Sequence, residues 1–254
     1  PLLHSHLFSL CDVLREKGIK VTLLSTGQRL KEFSQNISEH TDETILSLDG
    51  PEPIHDAIRR FNGACAHMKY GILGVRRFRP QYLFSGRVTV QRLNHSFLRE
   101  TVHAAKTLEL DSISFLAVDV NSKAFNRPTV WDTRRQQPVM IPRDEISDLE
   151  EEIENLIGEF SEEINSGFIR EGPEKLRRIV HHFRVLAGQT PARSPRCNAP
   201  WVSTVIEADG SVRPCFFHEA VGNIHEQELM EILNGPKALG FRESLNVETH
   251  SICQ

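Results

Sequence analysis

Cysteine is scarce in this chain: five residues in 254. That number excludes a small fold stapled by disulfides, and being odd it leaves at least one thiol unpaired. No apolar run approaches the roughly 18 residues of a membrane span, so no membrane segment is expected. Excess charge of either sign is lacking too. Lys plus Arg total 30 against 34 Asp plus Glu, a net charge of −4, which excludes a protein that coats nucleic acid. There are no internal repeats, no low-complexity tract and no signal-peptide pattern. With 39% hydrophobic residues the composition is that of a globular protein, with room for one large α/β domain or one domain plus a small second one. A start at Pro1 in structured-looking sequence, together with the odd cysteine count, leads us to expect part of a longer, cytoplasmic protein.

What is present is alternation. Leu7, Leu10, Val13 and Leu14 follow helical spacing, with Gly18 as the stop. Ile19 to Leu24 predicts a strand ending at Ser25-Thr26-Gly27. A helix over 28–38 follows, then a strand from Glu43 to Leu48 closed by Asp49-Gly50-Pro51. Helices are predicted over His55 to Phe61 and 64–75, a third strand over Val88 to Val90, a helix over 95–108 capped by Asn94, and a fourth strand from Ser112 to Val118. Residues 121–142 read as a long loop. Asp144 to Glu163 is an acidic amphipathic helix, and Pro173 opens another that ends near Gly188. Such alternation predicts an α/β fold with a parallel sheet or barrel, whose ligand site lies at the carboxyl ends of the strands.

Beyond the Pro/Ser/Arg-rich stretch Gln189 to Arg196, which reads as a linker, the chemistry changes. A strand over Val202 to Ile206, a turn at Ala208-Asp209-Gly210 and a strand over Ser211 to Arg213 form a hairpin with Cys197 and Cys215 at its bases. Cys253 stands one residue before the end. These three cysteines are open to three readings: a disulfide, which nothing about the chain favours; ordinary buried thiols; or ligands of a metal or cluster. The last needs about four soft donors, and this segment holds three. Cys11 and Cys65 have no cysteine neighbour at ligand spacing and read as structural.

The run Cys197, twelve residues, Gly210, four residues, Cys215 resembles the start of the auxiliary-cluster domain, SPASM or twitch, of radical S-adenosylmethionine (SAM) enzymes. Val221-Gly222-Asn223-Ile224, a helix and a late Cys253 fit the same resemblance, with Cys253-Gln254 as the first half of a Cys-x-x-Cys pair. Upstream, Pro1 to His4 with KGIKVTLLSTG, then Ser47-Leu48-Asp49-Gly50-Pro51, Arg87 to Val90 with Asn94, and Ile113 to Leu116 resemble successive barrel strands of that family, in order. The family's Cys-x-x-x-Cys-x-x-Cys loop is absent from these residues and is expected before Pro1.

The resemblance implies an α/β fold. It comprises a partial (β/α)6 barrel over 1–170, incomplete at its N-terminal edge, a linking helix over 171–189, and a small cluster-binding hairpin-and-helix domain over 190–254. An uncovered strand edge on such a barrel implies a tendency to aggregate. The resemblance also implies SAM and [4Fe–4S] clusters as cofactors, reductive cleavage of SAM to a 5′-deoxyadenosyl radical, an external electron donor, and a peptide, protein or small molecule as substrate. Thr26, Gly27, Ser47, Arg87 and Leu116 are the implied SAM contacts, Arg87 through the SAM carboxylate. Cys197, Cys215 and Cys253 are the implied cluster ligands. Asp49 is read as a turn and cap residue, Asp119 as a substrate contact, and His218 as a minor candidate for an extra ligand. The competing reading is a non-catalytic binding module with a zinc-stabilised Cys hairpin.

Overall fold

The computed structural model describes every residue except 123, 125, 126, 128, 194, 195, 251 and 254. Ser194 and Pro195 of the expected linker and Gln254 of the expected Cys-x-x-Cys start lie outside the described residues. The chain divides into two compact units, Pro1–Val118 with Val139–Gln189, and Asp119–Pro138 with Thr190–Gln254.

The first unit is built on four parallel strands in sequential order: β1 (Thr22–Ser25), β2 (Glu43–Ser47), β3 (Leu83–Val90) and β4 (Ser112–Ala117). Helix α1 (Leu7–Glu16) precedes them. Helix α2 (Ser34–His40) joins β1 to β2, α3 (Glu52–Arg59) and α4 (Ala64–Phe78) join β2 to β3, and α5 (Leu98–Thr107) joins β3 to β4. Further along the chain, α7 (Ile146–Glu159), α8 (Ser161–Ser166) and α9 (Pro173–Leu186) complete the unit; α6 (Thr133–Gln136) belongs to the other. The outer edge of β4 is met by the segment 168–170, which bridges in parallel between Ile113 and Ile169. The parallel α/β fold expected from the sequence is therefore present as an open arc, with no strand beyond β1 among the described residues.

One face of the arc is covered and the other is not. Leu46, Phe84, Val88, Val90, Ile113 and Phe115 are buried together with helix residues such as Met68, Val75, Leu98 and Val102. The alternate positions, Ser47, Ser85, Arg87, Thr89, Ser114 and Leu116, are half-buried or exposed. Parallel strands usually read as continuous apolar runs because both faces are covered. Here the polar alternation marks one face as open.

Several elements differ from the sequence expectation. Strand β3 begins at Leu83 rather than Val88, so Arg87 lies inside the strand and not at its start. Ser85 and Gly86 are weak strand formers by themselves, but pairing on both sides, Gly86 with Leu46 and Ile113, holds them extended. Residues 28–33 form turns, and α2 starts only at Ser34. Asn94 is not a helix cap; it is fully buried, and α5 starts at Leu98. The acidic helix breaks at the buried Phe160 between α7 and α8. On α1 the buried residue is Cys11, while Leu10 and Val13 of the apolar stripe are exposed.

In the second unit, α10 (Ala199–Val202) takes the start of the expected strand. The strands β5 (Val205–Ile206), β6 (Ser211–Arg213) and β7 (Gly222–Asn223) form an antiparallel sheet, followed by α11 (Leu229–Asn234) and α12 (Pro236–Ser244). Val212, Val221, Ile232 and Ala238 form its core. Gly210 turns the hairpin at φ 82°, where a Cβ would strike Asn223 and His225.

Gly27 closes β1 at φ 88°, and a Cβ there would meet Met68 of α4 at 3.0 Å. Gly27→Ala combines backbone strain with a forced shift of a buried side chain. It is expected to lower stability by about 1–3 kcal/mol in urea unfolding.

Candidate functional site

The carboxyl ends of the strands gather most of the residues implied as SAM contacts. Strand register places Ser47 beside Arg87 and Arg87 beside Ser114, one row across the open face. In the β3–β4 register Leu116 pairs with Thr89, two residues further along, and is 39% exposed on the same face. Arg87 is exposed and forms no ion pair among the described residues. Thr26 is exposed just past β1, whereas Gly27 is buried under Met68. The arrangement therefore puts Ser47, Arg87 and Leu116 on one surface and Thr26 at its β1 end, and gives Gly27 a packing place beneath it.

Sequence reasoning missed Glu171. Its carboxylate accepts the Phe115 amide at 2.9 Å, beside the outer edge of β4. Burial pushes its pKa up; the Phe115 N–H, Lys175 and Arg87 pull the other way. Ser114 and Thr89 were missed as well, although the period-2 pattern Ser85, Arg87, Thr89 between Phe84, Val88 and Val90 carries the signal.

Behind the rim stands a buried polar cluster. Asp49 is 1% exposed and His55 fully buried. Arg59 Nε lies 2.5 Å from Asp49 Oδ2, and the same guanidinium reaches the Ser47 carbonyl at 3.4 Å. The Asp49 amide donates to His55 Nδ1 at 3.2 Å. Asn94 Nδ2 donates to the carbonyls of Asp49, at 2.8 Å, and Thr89, at 3.1 Å, and its Oδ1 accepts from Gln91. Asp49 is thus an ion-pair residue rather than a cap: α3 has Pro51 at its N-cap and no side-chain cap bond. Asp119, in the second unit, is taken up by its own loop, accepting from Asn121, Ser122 and Arg127.

The second unit holds the three late cysteines and sets one of them, Cys253, beside two histidines. Cys197 is exposed just before α10, and Cys215 follows β6. Cys253 Sγ lies 3.4 Å from His218 Nε2. Donor atoms of His218, His250 and Cys253 all lie within 4.8 Å of one another. Burial pushes the Cys253 thiol up, and Cys215 and Cys197 add to it. Burial, then His250, pushes the His218 imidazole down. A thiol with two imidazoles, in the same unit as Cys197 and Cys215, offers soft donors of the kind that iron–sulfur and zinc centres use, so the residues fit a metal centre. A cleft of about 420 Å³ lined by Arg196, Cys197, Asn198, Val247 and Glu248 opens beside Cys197. Cys11 and Cys65 stand apart, and burial pushes both thiols up.

The family model of the SPASM domain, an iron–sulfur cluster-binding domain, matches residues 197–254. Residues 197–254 are thus similar to a SPASM domain. Solved structures are similar over nearly the whole chain. The native anSMEcpe structure with bound AdoMet matches at a TM-score of 0.63 and 18% identity, covering 94% of this chain and 65% of that one. A second anSMEcpe structure, with AdoMet and a bound peptide, matches at 0.61 and 17%, covering 94% and 66%. SuiB of Streptococcus suis matches at 0.58 and 13%, covering 94% and 54%. The chain thus spans less than two thirds of the anSMEcpe length and about half of SuiB. The partial parallel α/β fold with a small C-terminal domain, expected from the sequence, is the fold of this chain, and it is similar to that of the anSMEcpe and SuiB structures. No curated protein matches it in sequence. Among the described residues no helix is long and apolar enough to cross a membrane.

Replacing Arg59 with Met leaves the Asp49 charge buried without a partner. The expected loss is about 3–5 kcal/mol in urea unfolding. Asp49→Asn in the same chain, which removes that charge, is expected to recover most of it.

Proposed function

We propose that this chain is the SAM-binding and auxiliary-cluster part of a radical SAM enzyme that modifies a peptide or protein. The observation that carries the reading is the SPASM family match over residues 197–254, which hold Cys197, Cys215 and Cys253, on the same chain as a fold similar to those of anSMEcpe and SuiB. When bound and reduced, SAM supplies a 5′-deoxyadenosyl radical for hydrogen abstraction; the residues of this chain bind, orient and shield. Arg87 forks onto the SAM carboxylate from the middle of the open face, a role suited to an exposed guanidinium without an ion-pair partner among the described residues. Ser47, its register neighbour, hydrogen-bonds the ribose or amino-acid portion. Leu116 lies against the adenine, and Thr26 forms the β1 side of the same rim, with Gly27 supporting it from beneath.

Support for a peptide substrate comes from relatives. One anSMEcpe structure holds a peptide with AdoMet, and SuiB is solved bound to its precursor peptide SuiA. The five cysteines contain no Cys-x-x-x-Cys-x-x-Cys, so the ligands of a catalytic cluster are not among these residues. The functional division we assign is the SAM barrel over 1–170, a linking helix over 171–189 and the cluster domain over 190–254, served by an external electron donor.

Anaerobic reconstitution with iron and sulfide, read by absorbance and EPR, tests the cluster. A brown protein is expected whose iron content falls in Cys197→Ala, Cys215→Ala and Cys253→Ala and holds in Cys11→Ser and Cys65→Ser. A colourless protein with tightly bound zinc overturns the reading in favour of a zinc-stabilised binding module. In the intact enzyme Arg87→Met is expected to weaken SAM binding roughly ten- to hundred-fold by calorimetry, the worth of one charge-assisted contact.

A further inference from the structure

We propose that the outer edge of β4 is a docking strand for the peptide substrate, which adds to the sheet in extended form beside Leu116. The proposal rests on the reading that this chain belongs to an enzyme acting on a peptide or protein.

In a parallel sheet, successive residues of one strand turn their backbone groups to opposite neighbours. Just past β4, the Val118 N–H bonds inward to the Val90 carbonyl at 3.0 Å. Ile113, Phe115 and Ala117 therefore turn their backbone groups outward. Ile113 is satisfied from within the chain: its N–H donates to the Phe168 carbonyl at 2.7 Å, and its carbonyl accepts the Arg170 N–H at 2.9 Å. There the ladder stops. The Phe115 N–H is taken at 2.9 Å by the Glu171 carboxylate, a side chain standing in for the next backbone carbonyl. The Phe115 carbonyl and both backbone groups of Ala117 have no partner among the described residues.

Phe115 is buried and Ala117 half-buried, so backbone groups left unpaired here cost free energy until something bonds them. An extended peptide supplies what they need. Lying parallel to β4, the peptide residue opposite Leu116 donates its N–H to the Phe115 carbonyl and accepts the Ala117 N–H. The residue two further along donates to the Ala117 carbonyl. This is strand addition, in which main-chain bonds hold the peptide whatever its sequence. Three free groups beside a capping carboxylate make a short edge, which suits a peptide better than edge-to-edge pairing of two folded copies. Residues paired across a sheet share a face. The side chain opposite Leu116 thus projects over the open face, beside the place assigned to the adenine. Register alone selects which peptide side chain is presented for modification.

The intact enzyme, held anaerobically with SAM, is screened against a bead library of short randomised peptides, and the tightest binder is taken to calorimetry. N-methylating that peptide one residue at a time is expected to weaken binding roughly ten-fold at two positions two residues apart, and to spare the residue between them. Ala117→Pro removes one edge N–H at a position where an edge strand tolerates proline. It is expected to weaken the unmethylated peptide by a similar factor, while Ala117→Ser, which keeps the N–H, leaves binding unchanged. Tight binding indifferent to N-methylation at every position overturns strand addition and leaves the peptide reading standing, and this result needs no variant to fold. Dimerisation that Ala117→Pro abolishes while peptide binding holds gives the edge to a second copy and also overturns the proposal. If no peptide binds the unsubstituted enzyme, both readings fall.

Discussion

Asp49 carries its carboxylate into a site that is 1% exposed, where the chain leaves β2 for α3. A charge buried there is tolerable only with a counter-charge, and hydrogen bonds to the surrounding backbone steady it. Arg59 provides the first, one helix later, and ties the Ser47 carbonyl with the same group. Asn94 joins from the next strand end, bonding the carbonyls of Asp49 and Thr89. The ends of β2 and β3 are thereby locked to one another and to α3. Everything placed on the open face depends on this lock, because Ser47 and Arg87 are neighbours only while the two strands stay in register.

The covered face and the open face obey different rules. Packing decides the first, and small deviations are costly there, as Gly27 under Met68 illustrates. The open face is chosen for exposure of specific groups, so Arg87 stands without an ion-pair partner among the described residues and Leu116 stays part-exposed. The second unit is too small for a large core, and four buried apolar side chains form its centre. Were the centre we propose held by Cys197, Cys215 and Cys253, it would supply there what burial cannot, since metal binding free energy becomes folding free energy.

Much of this was legible in the sequence because it rests on local pattern. Strand β2, helix α4, strand β4 and the Asp209-Gly210 hairpin follow from periodicity and turn chemistry, and the meaning of the Cys–Gly–Cys spacing from its resemblance to a known family. The rest is tertiary. Strand β3 was read short because Ser85 and Gly86 favour strand only when paired on both sides. Asn94 looked like a cap because short polar residues usually are, while its bonds go to Asp49, 45 residues away. Asp49 looked like a turn residue because its partner Arg59 is recognisable only once α3 folds back. The Cys253–His218 pair spans 35 residues, and no local spacing announces it.

The row Ser47–Arg87–Ser114 has a further consequence for how the sheet assembles. Side chains alternate faces with a period of two, so a slip of β3 by one residue would turn Arg87 inward among Leu46 and Phe115 and set Val88 in water. An unpaired guanidinium in that apolar layer is about the costliest error available to this strand. The residue that we assign to recognising a ligand therefore also proofreads strand pairing before any ligand arrives.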